Sequence, residues 1–413
     1  MATIQCSSKI IENLKFNLDS GNHEFLNSFW SNIKETGTPI IEPIDGNTEY
    51  SLATFLYRGD ETTQTISVCI PPKTAPESSE DKPLSELKLN RLSNTNVWYT
   101  SCVVRNNIRF AYRFLLNCSL DKVHEHPDSW VTDSFSNNNQ IFPSSNKAKK
   151  DLIIDHVVMN NAAEHIWTKE RPDTLKGTLQ TYSSRSDILN NERDIRIYIP
   201  ANYNKDNEPY NLLVLTDGAA YITMSTKEVL DNIINDNKIP PTIAVLINSN
   251  SNRMKELSCN DEFCSYVVEE VLPWVRENYN VTSDPAKTVI AGSSLGGLTA
   301  SFLGFKFPDI FGNILSQSGS YWYKSEDVND LEKRNWMARQ FEKEDKLPLN
   351  FYLNVGVLES AMMNDMNREF TDVLLSKGYP VFFEEFKSGH DYLSWGETLG
   401  TGLIKLIGTD KKS

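Results

Sequence analysis

The chain has 413 residues, 39% of them hydrophobic, which is enough for a large core and two domains and excludes wholesale disorder. Its 55 acidic residues against 41 basic ones leave a formal charge of −14, which argues against nucleic acid or an anionic membrane as the main partner. Residues 1–13 lack the basic start and long apolar run of a secretory signal, and no later run approaches membrane-spanning length, so a cytoplasmic location is expected.

The first third of the chain reads as one helix followed by short strands. Phe25, Phe29, Trp30 and Ile33 recur at helical spacing and predict a helix over 24–36. Residues 48–58, 65–70, 97–104 and 108–116 are β-rich runs separated by turn-formers such as Arg58-Gly59-Asp60 and Arg105-Asn106-Asn107. Strands of that length and spacing predict a small β-sandwich over residues 1–150. The polar stretches 71–82 and 128–150 read as exposed loops, and 151–171 as a linker. Trp98 and Tyr99 serve either as sandwich core or as aromatic surface for a substrate. The six cysteines are scattered, with no C-x-x-C and no ligand-spaced Cys/His set, so free thiols are expected.

From 172 to 413 the pattern becomes α/β. Ile195, Ile197 and Ile199 alternate along one strand, 212–215 and 243–247 are continuous apolar runs, and helical segments lie between them. Continuous apolar strands alternating with helices predict a buried, mostly parallel sheet flanked by helices. Residues 261–279 carry Phe263, Val267, Val271, Trp274 and Val275 on one face, an amphipathic helix expected to bend at Pro273.

That helix delivers the chain to 288–300, an apolar strand that breaks into small residues and resumes as a helix. Within it Gly292-Ser293-Ser294-Leu295-Gly296 fits the G-x-S-x-G elbow, which lifts a serine onto a sharp strand-to-helix turn. Ser294 is the candidate nucleophile, and the N–H of Leu295, at the start of the helix, a candidate oxyanion donor. Toward the C-terminus, Ser388-Gly389-His390-Asp391 follows the strand-like 380–386, making His390 the candidate base. Between serine and histidine the apolar run 350–357 ends near Glu359, which completes the chain order serine, acid, histidine. Asp365, Asp372 and Asp391 are alternatives for the acid. His124-Glu125-His126 reads as solvated surface, and no metal ligand set and no cofactor are expected.

The chain resembles the enterochelin (enterobactin) esterase family of the α/β-hydrolases. The resemblance is carried by Leu215-Thr216-Asp217-Gly218, by Arg253-Met254-Lys255-Glu256-Leu257 with Asn260, by the elbow through Leu298, by Leu315-Ser316-Gln317-Ser318-Gly319-Ser320-Tyr321-Trp322, and by Gly389-His390-Asp391 with Trp395. In the N-terminal region it rests on Thr54-Phe55-Leu56-Tyr57-Arg58, and the following linker departs from the family's proline- and asparagine-rich wording. The resemblance implies an α/β-hydrolase domain preceded by a β-sandwich, and hydrolysis of the serine trilactone of iron-loaded catecholate siderophores, so that iron would arrive with the substrate. It implies Ala219 as the second oxyanion donor, and it leaves open a Ser-His pair working without an acid. It also draws attention to Arg253, in a polar loop expected at the carboxyl end of the sheet, as a binder of the anionic substrate; pairing with Glu256 is the alternative. The same elbow would serve a carboxylesterase, a feruloyl-type esterase, an acyltransferase or a non-catalytic binding module.

Overall fold

The computed structural model describes residues 7–75, 83–144, 150–323 and 335–409. It divides into two compact units. The first comprises Met1–Ala163 with the short segments Leu358–Ser360 and Lys387–Asp391; the second comprises Glu164–Val357, Ala361–Phe386 and Tyr392–Ser413.

Two antiparallel sheets make up most of the first unit. One runs in the order Ile40–Ile44, Asn47–Arg58, Val97–Arg105, Asn90–Arg91; the other runs Ser85–Lys88, Ile66–Ile70, Arg109–Leu116, Leu152–Val158, Asn139–Phe142, with Trp130–Val131 also paired to Arg109–Leu116. Two helices, Lys9–Asp19 and Phe25–Thr36, bury Ile11, Leu14, Phe29, Trp30 and Ile33 together with Leu56 and Val97. The expected loop 128–150 thus contains strand pairing, and part of 71–82 lies outside the described residues. The expected boundary at 150 also moves, because Leu152–Val158 is a sandwich strand, with Asp155 opposite Tyr112, and the first unit runs on to Ala163. Trp98 and Tyr99 are both half-buried. Tyr99 packs on the helix cluster beneath Lys15, and the Trp98 indole occupies the space that a side chain at Gly59 would fill.

The second unit is built on one eight-stranded sheet. In chain order its strands are β1 (Thr178–Ser186), β2 (Asn191–Ile199), β3 (Asn211–Leu215), β4 (Thr242–Ile247), β5 (Thr288–Ser293), β6 (Asn313–Gln317), β7 (Asn350–Gly356) and β8 (Val381–Phe386). Their spatial order is β1-β2-β4-β3-β5-β6-β7-β8, with β1 and β2 antiparallel to their neighbours and β3 through β8 mutually parallel. Both faces of the central strands are covered, which is why their sequences are continuously apolar. Leu212 and Val214 of β3 face one core with helices Leu295–Lys306, Trp336–Lys343 and Ala361–Ser376, while Leu213 and Leu215 face the other with helices Thr226–Asn235 and Tyr392–Ile407. This is the α/β-hydrolase arrangement. The helix expected over 261–279 is interrupted earlier than at Pro273: Tyr266–Val271 forms a wider turn in which the Leu272 N–H reaches back to Val267 O. Proline lacks the N–H for the ordinary bond to residue 269, and the widened turn lies just upstream.

Candidate active site

Parallel strands place their carboxyl ends along one edge of the sheet, and β3, β4 and β5 are adjacent there, with Leu215 in register with both Leu246 and Ala291. Beyond Ala291 the chain turns sharply. Ser294 has φ 58° and ψ −121° and caps the helix Leu295–Lys306, a conformation costly for any residue with a side chain and held only when its surroundings over-determine it. Here they do. The Ser294 N–H donates to Gln317 O at 2.8 Å, its carbonyl accepts from the Ser320 N–H at 3.0 Å, and the helix following it is almost wholly buried. A Cβ at Gly292 would sit 2.4 Å from the Gly296 backbone, and one at Gly296 would sit 2.3 Å from Thr216 Oγ1, so strand and helix approach this closely only with glycine at both positions.

Ser293 is buried in the core, whereas Ser294 is half-buried, so the register of the elbow presents Ser294. One neighbour escaped the sequence reading. Ser320, buried after β6, brings its Oγ to 3.3 Å from Ser294 Oγ. The run Ser316 to Ser320 carries three serines, and nothing in their spacing marks which would fold back onto the elbow.

Leu295 and Ala219 each lie in the first turn of a helix, where backbone N–H groups have no intrahelical acceptor. Ala219 is exposed at the start of the helix Gly218–Thr223, which is capped by Asp217 in the left-handed conformation, φ 53° and ψ 41°. What holds Asp217 there is Arg253. The guanidinium donates from Nε to Oδ1 at 2.7 Å and from Nη2 to Oδ2 at 2.6 Å, and the Ser249 hydroxyl also donates to Oδ1. Burial alone would lower the Arg253 pKa, but the Asp217 carboxylate outweighs it and holds the value above normal. Burial and the same carboxylate raise the Tyr392 phenol. The alternative partner, Glu256, is not available to Arg253: it is bound bidentately by Arg193 at 2.7 and 2.8 Å, in a pair whose side chains are 2% and 5% exposed. Sequence could not have paired residues 193 and 256 across two strands.

The acid and the histidine meet on the loops that follow β7 and β8. Glu359 has a fully buried side chain, and its Oε2 lies 2.7 Å from His390 Nδ1; the imidazole is 38% exposed. The Leu358 N–H donates to Ser388 O at 3.0 Å, tying one loop to the other. With Nδ1 committed to a carboxylate, Nε2 is the nitrogen fitted to exchange a proton. The alternative acids are placed elsewhere: Asp391 accepts from the Ser388 hydroxyl within its own loop, Asp365 pairs with Arg368 on the helix Ala361–Ser376, and Asp372 is exposed on the same helix.

Among the described residues no three His, Cys, Asp or Glu side chains gather as metal ligands do, and no helix is long and apolar enough to cross a membrane. The described cysteines are unpaired, and burial pushes the thiols of Cys69, Cys102 and Cys264 up to about 12.

The family model described as "Putative esterase" matches residues 186–406, more than half of the chain and all three of Ser294, Glu359 and His390. The chain belongs to this esterase family. Among members with curated names, the iron(III) enterobactin esterase of Escherichia coli strain CFT073 is 32% identical over 229 residues, covering 54% of this chain and 55% of the relative. The chain thus aligns with about half the length of that relative. The iron(III) salmochelin esterase of the same strain is 24% identical over 428 residues, covering 98% of this chain and all of the relative. In fold, the enterobactin esterase of Shigella flexneri, solved in the presence of enterobactin, superposes with a TM-score of 0.76 over 92% of this chain and 97% of its own, at 23% identity.

Proposed function

We propose that this protein is a serine esterase that opens the ester bonds of a catecholate siderophore of the enterobactin type. The reading is carried by the Glu359–His390 bond, which prepares an imidazole for base catalysis on a chain that also holds a serine in the elbow conformation. Ser294 attacks the ester carbonyl while His390 Nε2 takes its proton. Glu359 keeps the other nitrogen protonated and stabilises the imidazolium. The N–H groups of Leu295 and Ala219 receive the oxyanion, the alcohol leaves with the proton from His390, and water then repeats the sequence on the acyl-enzyme. Nucleophile, base and oxyanion donors all come from the chain, so the chemistry calls for no metal or organic cofactor. Iron enters as part of the substrate.

The substrate class is supported by similarity extending over nearly the full length of an iron(III) salmochelin esterase. A ferric tricatecholate is anionic and this chain carries −14, so long-range attraction is unfavourable and recognition falls to short-range cations. Arg253 is the candidate: its Nη1 takes no part in the Asp217 pair, and a third of its side chain, 34%, is exposed. Incubation of the purified protein with ferric enterobactin and, separately, with a linear feruloyl ester, followed by chromatography, tests the assignment. Release of dihydroxybenzoylserine from the siderophore is expected. Turnover of the linear ester with the trilactone left intact would instead make this a feruloyl-type enzyme.

A further inference from the structure

The buried hydroxyl beside the elbow has a role that the serine-acid-histidine scheme does not give it. Ser320 is 1% exposed. A buried O–H must donate to something or cost the desolvation of an unsatisfied group. Among the described residues the hydrogen-bond partner of Ser320 Oγ is Ser294 Oγ, at 3.3 Å. The backbone fixes the contact from both sides, since the Ser320 N–H donates to Ser294 O at 3.0 Å and the Ser294 N–H donates to Gln317 O, three residues before Ser320. The two serines are therefore held face to face by main-chain bonds, and from there their hydroxyls meet.

We infer that Ser320 donates its hydrogen to Ser294 Oγ and acts as a standing donor to the nucleophile, an inference that rests on Ser294 being that nucleophile. The direction follows from the inventory. A hydroxyl has one hydrogen and two lone pairs. If the Ser320 hydrogen occupies one lone pair on Ser294 Oγ, the Ser294 hydrogen stays available to a base and the other lone pair to the carbonyl carbon. As Ser294 loses its proton to the base and its oxygen gains negative charge, the donor bond strengthens, because a bond to an ionised acceptor is roughly twice as strong as one between neutral groups. No proton leaves Ser320 at any step. In deacylation the same donor meets the same oxygen as it departs from the acyl group, so both halves of the reaction gain.

The test is Ser320→Ala in the full-length protein, read in the pre-steady state with a p-nitrophenyl ester. Acylation is expected to slow about tenfold, the effect of one hydrogen bond worth about 1.4 kcal/mol in the transition state, with the ester's dissociation constant unchanged. Inactivation by diisopropyl fluorophosphate reports on the serine with little help from substrate binding, and is expected to slow by the same factor. Ser320→Thr, which keeps the donor, should retain most of both rates. It also carries the test should the alanine variant misfold: a threonine variant that folds but acylates as slowly as an unassisted serine would count against the donor. Unchanged acylation and inactivation in Ser320→Ala would overturn the inference, as would a lowered melting temperature with a weakened ester affinity and normal rates, since that pattern is packing alone. A Ser294→Ala control that keeps its activity would defeat the parent assignment of the nucleophile instead, and the two failures are distinguishable.

Discussion

The elbow and the acid–histidine pair each hold a side chain in place, and they do it by different physics. At the elbow the constraint is in the main chain: backbone bonds to Gln317 and from Ser320, two glycines without room for a Cβ, and a buried helix fix Ser294. At Glu359 and His390 the constraint is a single side-chain bond to a fully buried carboxylate, on loops joined by the Leu358 to Ser388 hydrogen bond. Geometry of the first kind survives loss of the side chain it holds. Geometry of the second kind is lost with either partner.

The sharpest test of that contrast is Ser294→Ala, which is expected to fold normally, because nothing that sets the elbow's shape is removed, and to lose hydrolysis by on the order of 10³ to 10⁶. Ser293→Ala, in the buried position before it, should leave the rate close to the parent. The opposite pattern would show that the register of the elbow is wrong. Glu359→Gln comes next. The amide keeps the volume but favours the wrong tautomer of His390, and kcat should fall by roughly 10- to 10⁴-fold; an unchanged rate would mean that serine and histidine work without this acid.

A third variant carries the comparison to a charge pair with no part in chemistry. Arg193→Ala leaves the Glu256 carboxylate buried without a counter-ion, its remaining side-chain donor being the Asn191 amide at 3.2 Å, and about 3 to 5 kcal/mol of stability should be lost, read by denaturant unfolding. A loss below about 1 kcal/mol would show that water and the existing Asn191 bond are enough to relieve the carboxylate. The smallest expected effect is that of Arg253→Lys. Lysine keeps the charge but cannot both fork onto Asp217 and extend a third donor, so KM for the iron-loaded siderophore should rise about tenfold, the worth of one bond to a charged group, with a smaller change on a neutral aryl ester. Equal losses on both substrates would assign Arg253 wholly to holding the Asp217 turn.

The parts of the molecule that read clearly from sequence are those governed by local rules. The elbow, the continuously apolar β3 and β4, and the strands of the sandwich at 47–58, 66–70, 97–105 and 109–116 announce themselves by period and by small residues at turns. Leu152–Val158 did not, because Asp155 and His156 interrupt its apolar run and a polar stretch precedes it; the strand is recognisable only by what it pairs with. The helix Lys9–Asp19 buries just Ile11 and Leu14, too few positions to establish a helical period. Of the candidate site residues, Ser294, Glu359 and His390 are suggested by strand ends and chain order, while the Ser320 contact and the Arg193–Glu256 pair depend on residues brought together by the sheet from distances of 26 and 63 positions.

The close packing at the elbow also constrains how this sequence can evolve. Thr216 Oγ1 is buried without a hydrogen-bond partner, and it is the atom that bars a methyl group at Gly296; the next obstacle there is 3.6 Å away. Gly292 is barred by the Gly296 main chain itself at 2.4 Å, which no side-chain change can relieve. The two glycines, alike in the motif, are therefore unlike in their mutational freedom. Gly296→Ala becomes admissible once Thr216 has been reduced to alanine, a first step that breaks no hydrogen bond, whereas Gly292→Ala has no permissive partner at position 216. The order of substitution matters at one position and offers no route at the other, an epistasis that a double-mutant library scored for soluble expression would reveal.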